Sequence, residues 1–204
     1  MTDGGETERE ARRGAYQAAL ARRVLRFYLG RPGADGGLAQ RQIWFRSTPD
    51  FDAEIRRLFL GDWEAAAAGR LDALATTPVG GLALIVVLDQ FPRNMFRRRG
   101  RAFASDAKAR HIATAALGRG FDAGLQAVER LFMYLPFEHS EDMADQERSV
   151  ALFPALGNET WTDSAVRHRD IIARFGRFPH RNAALGRAST PQELAFLLEP
   201  DSSF

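Results

Sequence analysis

Between Pro136 and Gln146 the chain places four carboxylates (Glu138, Glu141, Asp142, Asp145), one imidazole (His139) and one amide (Gln146) directly after the apolar run Leu131-Phe132-Met133-Tyr134-Leu135. Polar groups this dense beside a core segment must be hydrogen-bonded to one another, solvated or bound to something. Two other stretches share the character: Asp89-Gln90-Phe91-Pro92-Arg93-Asn94, and Phe175-Gly176-Arg177-Phe178-Pro179-His180-Arg181-Asn182. We expect all three to meet in one polar, solvent-reachable site.

Two chemistries are open to such a site. A carboxylate beside an imidazole can move protons, which makes Glu138, His139, Asp142 and His168 the catalytic candidates. Arginine forks and amides recognise anions, which makes Asp89, Gln90, Arg93, Asn94, Gln146, Arg177, His180, Arg181 and Asn182 the ligand-binding candidates. The same arginines can instead neutralise Glu138, Asp142 and Asp145, leaving a purely structural ion-pair network. Three readings therefore stand side by side: a binding module for a small anionic molecule or a peptide terminus, a hydrolase or transferase, and a set of helix-junction contacts.

Other chemistry is excluded or left without a signal. Cysteine is absent, so there are no disulfides, thiolate metal sites or cysteine nucleophiles. The sequence has no HExxH, no paired Glu-x-x-His and no calcium loop, and no metal ligand is assigned; no cofactor is identifiable. Gly80-Gly81 and Gly118-Arg119-Gly120 match neither phosphate-cradling pattern, and no serine nucleophile elbow occurs. The one basic run, Arg97-Arg98-Arg99-Gly100-Arg101, lacks interleaved aromatics and reads as a solvated loop. Of the 28 basic residues only Lys108 is a lysine, and the formal net charge is +2, so nucleic acid is not an expected partner. The longest apolar run, Leu82 to Leu88, is too short to span a membrane. A polar N-terminus and the lack of cysteine suit a cytoplasmic protein. Oligomeric state is not legible.

The 204 residues, 45% hydrophobic, suffice for one domain with a real core. We expect residues 1–13 to be flexible and 14–204 to form a single all-helical domain. Leu20, Val24, Leu25 and Tyr28 share one face of a first helix. Thr48-Pro49, Thr77-Pro78 and Thr190-Pro191 each combine an N-cap residue with proline at the first helical position, the last with Glu193 placed for a capping box. Phe51, Ile55, Leu58 and Phe59 give an apolar helical stripe. Leu82 to Leu88 has the apolar pattern of a buried strand, but no second strand of that quality exists to pair its backbone, so it reads as a buried helix. Pro92 is expected to kink or end that helix. Ser140 is expected to cap the next one, with Asp142, Asp145 and Gln146 on one face. Phe91-Pro92-Arg93-Asn94 is echoed, with one insertion, by Phe178-Pro179-His180-Arg181-Asn182.

These motifs resemble the bacterial domain-of-unknown-function family 924. The resemblance runs from Val24 to Gly30 and Trp44-Phe45, through Phe51 to Ile55, Ala67 to Leu71, Leu88 to Asn94 and Ala102 to Asp106. It continues through Leu135 to Asp142 and His168-Arg169-Asp170 to Phe175–Arg187. It implies an all-α fold of stacked antiparallel helical hairpins, similar to a tetratricopeptide-repeat superhelix, and implies no activity. One departure is that the Asp-Phe-Trp-Phe usual at the first helix end stands here as Arg26-Phe27-Tyr28-Leu29, which loses an acid at that position.

Overall fold

Each of the three Thr-Pro pairs opens a helix. In the computed structural model, which describes residues 3–200, 202 and 203, Thr48 accepts the Phe51 amide at 3.2 Å and Thr77 accepts that of Gly80 at 3.1 Å. Thr190 accepts the Glu193 amide at 3.2 Å while the Glu193 carboxylate takes the Thr190 amide at 2.7 Å. The hydroxyl satisfies an amide that the first turn leaves orphaned, and proline loses nothing where its missing N–H would have had no partner.

The described backbone is helical and holds no strand: α1 (Asp3–Tyr28), α2 (Pro49–Ala67), α3 (Pro78–Ile85), α4 (Phe91–Met95), α5 (Asp106–Gly118), α6 (Ala127–Glu138), α7 (Met143–Leu152), α8 (Glu159–Phe175) and α9 (Pro191–Phe196), several joined by short 3-10 turns. The helix α1 reaches back to Asp3, and Arg12 and Arg13 on it are exposed. Among the described residues no helix is long and apolar enough to cross a membrane.

At the centre lies α3. Gly80 through Leu88 is buried on every side, and α3 packs against α1, α5 and α6. An apolar helix without a polar face can only be a central one. Gly80 permits the close fit: a Cβ there would sit 2.2 Å from the Leu74 carbonyl oxygen.

Pro92 was expected to kink or end this helix; it does not end it. The chain passes from α3 through a π-helical turn, Val86–Gln90, into α4. The wider turn absorbs the extra residue, with the Phe91 amide bonding back to Val86. Proline leaves the Leu88 carbonyl without its helical donor. The Ser105 hydroxyl supplies one at 2.5 Å and accepts the Trp63 indole N–H at 3.0 Å.

Around this helix the rings interlock. Tyr28 meets Phe91 and Phe132 edge-on with centroids 5.6 and 5.4 Å apart, and Phe59 meets Phe91 at 4.7 Å. Each such pair adds about 1 kcal/mol beyond its burial. On the C-terminal side α6 packs on α7 and α7 on α8. A smaller apolar cluster of Ile171, Ile172, Phe178 and Phe196 fastens α9 and the segment before it.

Candidate functional site

The π-helical turn points Asp89 and Gln90 inward, where both side chains are buried among apolar residues. A buried carboxylate must be paired. Asp89 is held by His139, whose Nδ1 lies 2.9 Å from each carboxylate oxygen, and by the Gln90 amide, which donates at 2.6 Å. The Arg93 guanidinium stands 3.2 Å away and also donates to the Asp89 carbonyl at 2.6 Å. Tyr28 extends the chain by donating to Gln90 Oε1 at 2.9 Å. Burial alone would raise the Asp89 carboxyl, but Arg93 and His139 hold it well below the usual carboxylate range. Burial pushes the His139 imidazole down, and Arg93 pushes it further, against the pull of Asp89. The resting pair at neutral pH is thus a carboxylate and a neutral imidazole. Because Asp89 can only accept, Nδ1 of His139 carries the proton and Nε2 carries the lone pair. That Nε2 takes no hydrogen bond among the described residues and is not fully covered.

A second carboxylate–imidazole pair stands beside the first. Glu138, the last residue of α6, places Oε1 2.9 Å from Nδ1 of His168 on α8. Nδ1 of His168 also lies 2.8 Å from the Ser164 carbonyl, a second acceptor, so here too Nδ1 is the protonated nitrogen. The Ser164 hydroxyl donates to Glu138 Oε1 at 2.8 Å. Burial would raise the Glu138 carboxyl; His168, His139 and Ser164 together lower it. The two imidazole centroids are 6.4 Å apart. Oε2 of Glu138 is buried without a hydrogen-bond partner.

Both arginines of the echoed motifs turn toward Asp106, at the start of α5. Arg93 grips it with two bonds of 2.9 Å, and Arg181 stands 3.9 Å away. They flank the Phe103 ring at 5.6 and 4.8 Å. Arg181 also donates to the His139 carbonyl at 2.9 Å and lies over Phe178 at 4.3 Å. Its burial, with Arg93 nearby, lowers the guanidinium to about 10. His180 is pushed down to about 3, by burial first and then by Arg181 and His168.

Asp89, Glu138 and Arg181 are linked through His139, which holds Asp89 with its ring, follows Glu138 in the chain and offers its carbonyl to Arg181. Two open grooves of the surface lie elsewhere, one beside Asp52 and Arg97 and one beside Thr160 and Asp163. Several candidates also fall outside the network. Asp142 is exposed and caps α7 by accepting the Ala144 amide at 2.8 Å; the expected cap, Ser140, instead donates to Asp145 at 2.7 Å. Ser140 Oγ also accepts the Asp142 amide at 3.1 Å, so it braces the residue before the helix while Asp142 takes the capping position. Arg177 pairs with Glu193 at 2.6 Å, fastening α9. Asn182 donates to Ser189, and Asn94 to Ser47 and Asp52. Gln146 is buried and spends its amide on the carbonyls of Glu138 and Ser140, at 2.7 and 2.6 Å, holding the end of α6 in place. Sequence reasoning passed over Asp106, Tyr28 and Ser164. Glu141, not among the site candidates, ties the Phe175–Asn182 motif down through Arg187, at 2.6 and 2.9 Å, and the Phe178 amide at 2.8 Å. The two arginines of Phe175–Asn182, with no acid among them, were the available signal that an acid such as Asp106 had to come from elsewhere. Among the described residues no group of three or more His, Asp or Glu is disposed to hold a metal ion.

Two comparisons place the chain among known proteins. A family model described as a bacterial protein of unknown function, DUF924, matches residues 24–201. A solved structure of a protein of unknown function from Agrobacterium tumefaciens, ATU0120, is similar with a TM-score of 0.80 and 40% sequence identity, over 89% of this chain and 98% of that one. No curated protein matches.

Proposed function

The chain belongs to the bacterial family of unknown function DUF924, and from that footing we propose that it is an enzyme of the hydrolase or transferase kind, with His139 as general base, Asp89 as its orienting carboxylate and the Glu138–His168 pair behind them. One observation carries this reading: a buried carboxylate fixes Nδ1 of His139 at 2.9 Å while Nε2 is left without a protein partner. That arrangement selects the tautomer whose lone pair faces outward and stabilises the imidazolium that forms when a proton arrives. The low proton affinity of His139 keeps it neutral, and so competent as a base, at neutral pH. A base so placed is worth about 10²–10⁴-fold in rate.

The rival reading, an anion bound at this cluster, is less well supported because its arginines are engaged. Arg93 is spent on Asp89 and Asp106, Arg177 on Glu193, and Arg181 on the His139 carbonyl beside Asp106. Freeing a buried guanidinium to meet a ligand would strand its acid at a cost of about 3–5 kcal/mol. The successive packing of α6, α7 and α8 supports a tetratricopeptide-repeat-like stacking of helical hairpins. The cysteine-free composition supports a cytoplasmic setting.

Reaction with diethyl pyrocarbonate, which acylates neutral accessible imidazole nitrogens, tests the base directly. In the native protein at pH 7, His139 is expected to react, and Asp89→Asn to change its rate. His139→Gln is expected to unfold within about 1 kcal/mol of the wild type, as a group retained for chemistry rather than packing should. A native His139 that resists the reagent, together with a loss of about 3–5 kcal/mol in His139→Gln, would assign the pair to structure instead.

A further inference from the structure

The proton-transfer pairs leave the basic run unused. Arg97 and Arg99 border an open groove of about 570 Å³ between the start of α2 and the end of α4, lined also by Asp52, Arg56, Asn94 and Phe96. Three arginines and one carboxylate line it, and that carboxylate is full. Asp52 Oδ1 accepts the Ser47 hydroxyl at 2.7 Å, the Asn94 amide at 2.7 Å and Arg97 at 3.1 Å, and Oδ2 takes Arg97 Nε. Arg97 is thereby laid against the wall. Arg56 lies over the Phe96 ring at 5.5 Å and donates to the Met95 carbonyl at 3.3 Å. Neither Arg56 nor Arg99 has an acidic partner among the described residues. Between Arg97 and Arg99, Arg98 adopts φ 61°, a left-handed backbone that non-glycine residues seldom take and that is stored where the surroundings fix it. Arg98 itself does not line the groove.

We propose that this groove binds a small phosphate monoester or phosphonate. Arg56 and Arg99 supply the two positive charges that Asp52 and Arg97 leave over, and their planar forks match the oxygens of a dianion. Pro49 and the edges of Met95 and Phe96 complete the lining, the Phe96 ring itself lying beneath Arg56 and Arg101. The short groove and the near-neutral chain, net charge +2, favour a small ligand over a nucleic-acid strand, which needs a longer basic track. The site stands apart from His139, so it holds or fails independently of the proton-transfer reading.

Calorimetric titration of the full chain with phenylphosphonate at low ionic strength tests it. Saturable binding at one per chain is expected, weakened about tenfold or more in Arg56→Gln and in Arg99→Gln, and unchanged in His139→Gln. Both arginines are exposed, so these variants are expected to fold. Absence of saturable binding, wild-type affinity in both arginine variants, or an equal loss in His139→Gln would each overturn the proposal.

Discussion

The interior network and the surface groove are built from the same residue types and behave as opposites. Inside, Asp89, Asp106 and Glu138 face Arg93, Arg181, His139 and His168, and nearly every charge is matched within hydrogen-bond distance. At the groove, one acid answers three arginines. The contrast follows from dielectric cost. An unpaired charge in the interior costs several kcal/mol, so the fold cannot leave one there; at the surface water pays that cost, and an excess can persist for a ligand. The proton-transfer role proposed for His139 accordingly falls on a neutral group.

The sharpest break between the two regions should come from Arg93→Ala. It strands Asp89 and Asp106 together, and a loss of about 3–5 kcal/mol in urea unfolding is expected, against less than about 0.5 kcal/mol for Arg56→Gln. Comparable losses for the two would erase the distinction. Acid should act on the interior next. His139 and His180 bind protons less well folded than unfolded, so the unfolded chain gains protons first as pH falls. Stability is expected to be full above about pH 6.5 and to decline toward pH 3, with the lowered Asp89 and Glu138 carboxyls adding to the loss below about pH 4. Unfolding midpoints measured from pH 7.5 to 4.5 should fall steadily, and His180→Gln should flatten the slope; an unchanged slope in that variant would discharge His180 from the role. Ser105→Ala is expected to cost about 1–3 kcal/mol, because the Leu88 carbonyl and the Trp63 indole both lose their partner. Thermal denaturation of that variant would also report on the π-helical turn, since a neutral result would mean that the turn re-forms its own bonds. Smallest is Tyr28→Phe, at about 0.5–1.5 kcal/mol, which removes one donor from Gln90 and should leave the reactivity of His139 unaltered.

Much of this architecture could be read from short-range signals. The Thr-Pro openings fixed three helix starts because cap and proline act within a single turn. The Leu82–Leu88 run was legible as a buried helix by elimination of a partner strand. What short-range reading missed depends on partners far away in the chain. Pro92 was expected to kink or end a helix; Ser105, thirteen residues on, answers the freed carbonyl and a π-helical turn carries the helix on. Asp142 was read as a proton carrier because it stands beside His139 in sequence, yet it lies outside the network while Asp89, fifty residues away, lies inside it.

By itself, then, the sequence settled the helical class, the helix starts and which three segments carry the polar groups, since propensity, capping and apolar periodicity are local forces. Only the tertiary structure decided which acid meets which base. Pairing in a low-dielectric interior is set by the burial and geometry of whole helices, and no spacing along the chain encodes that Asp89 faces His139, that Glu138 faces His168, or that Arg93 and Arg181 share Asp106.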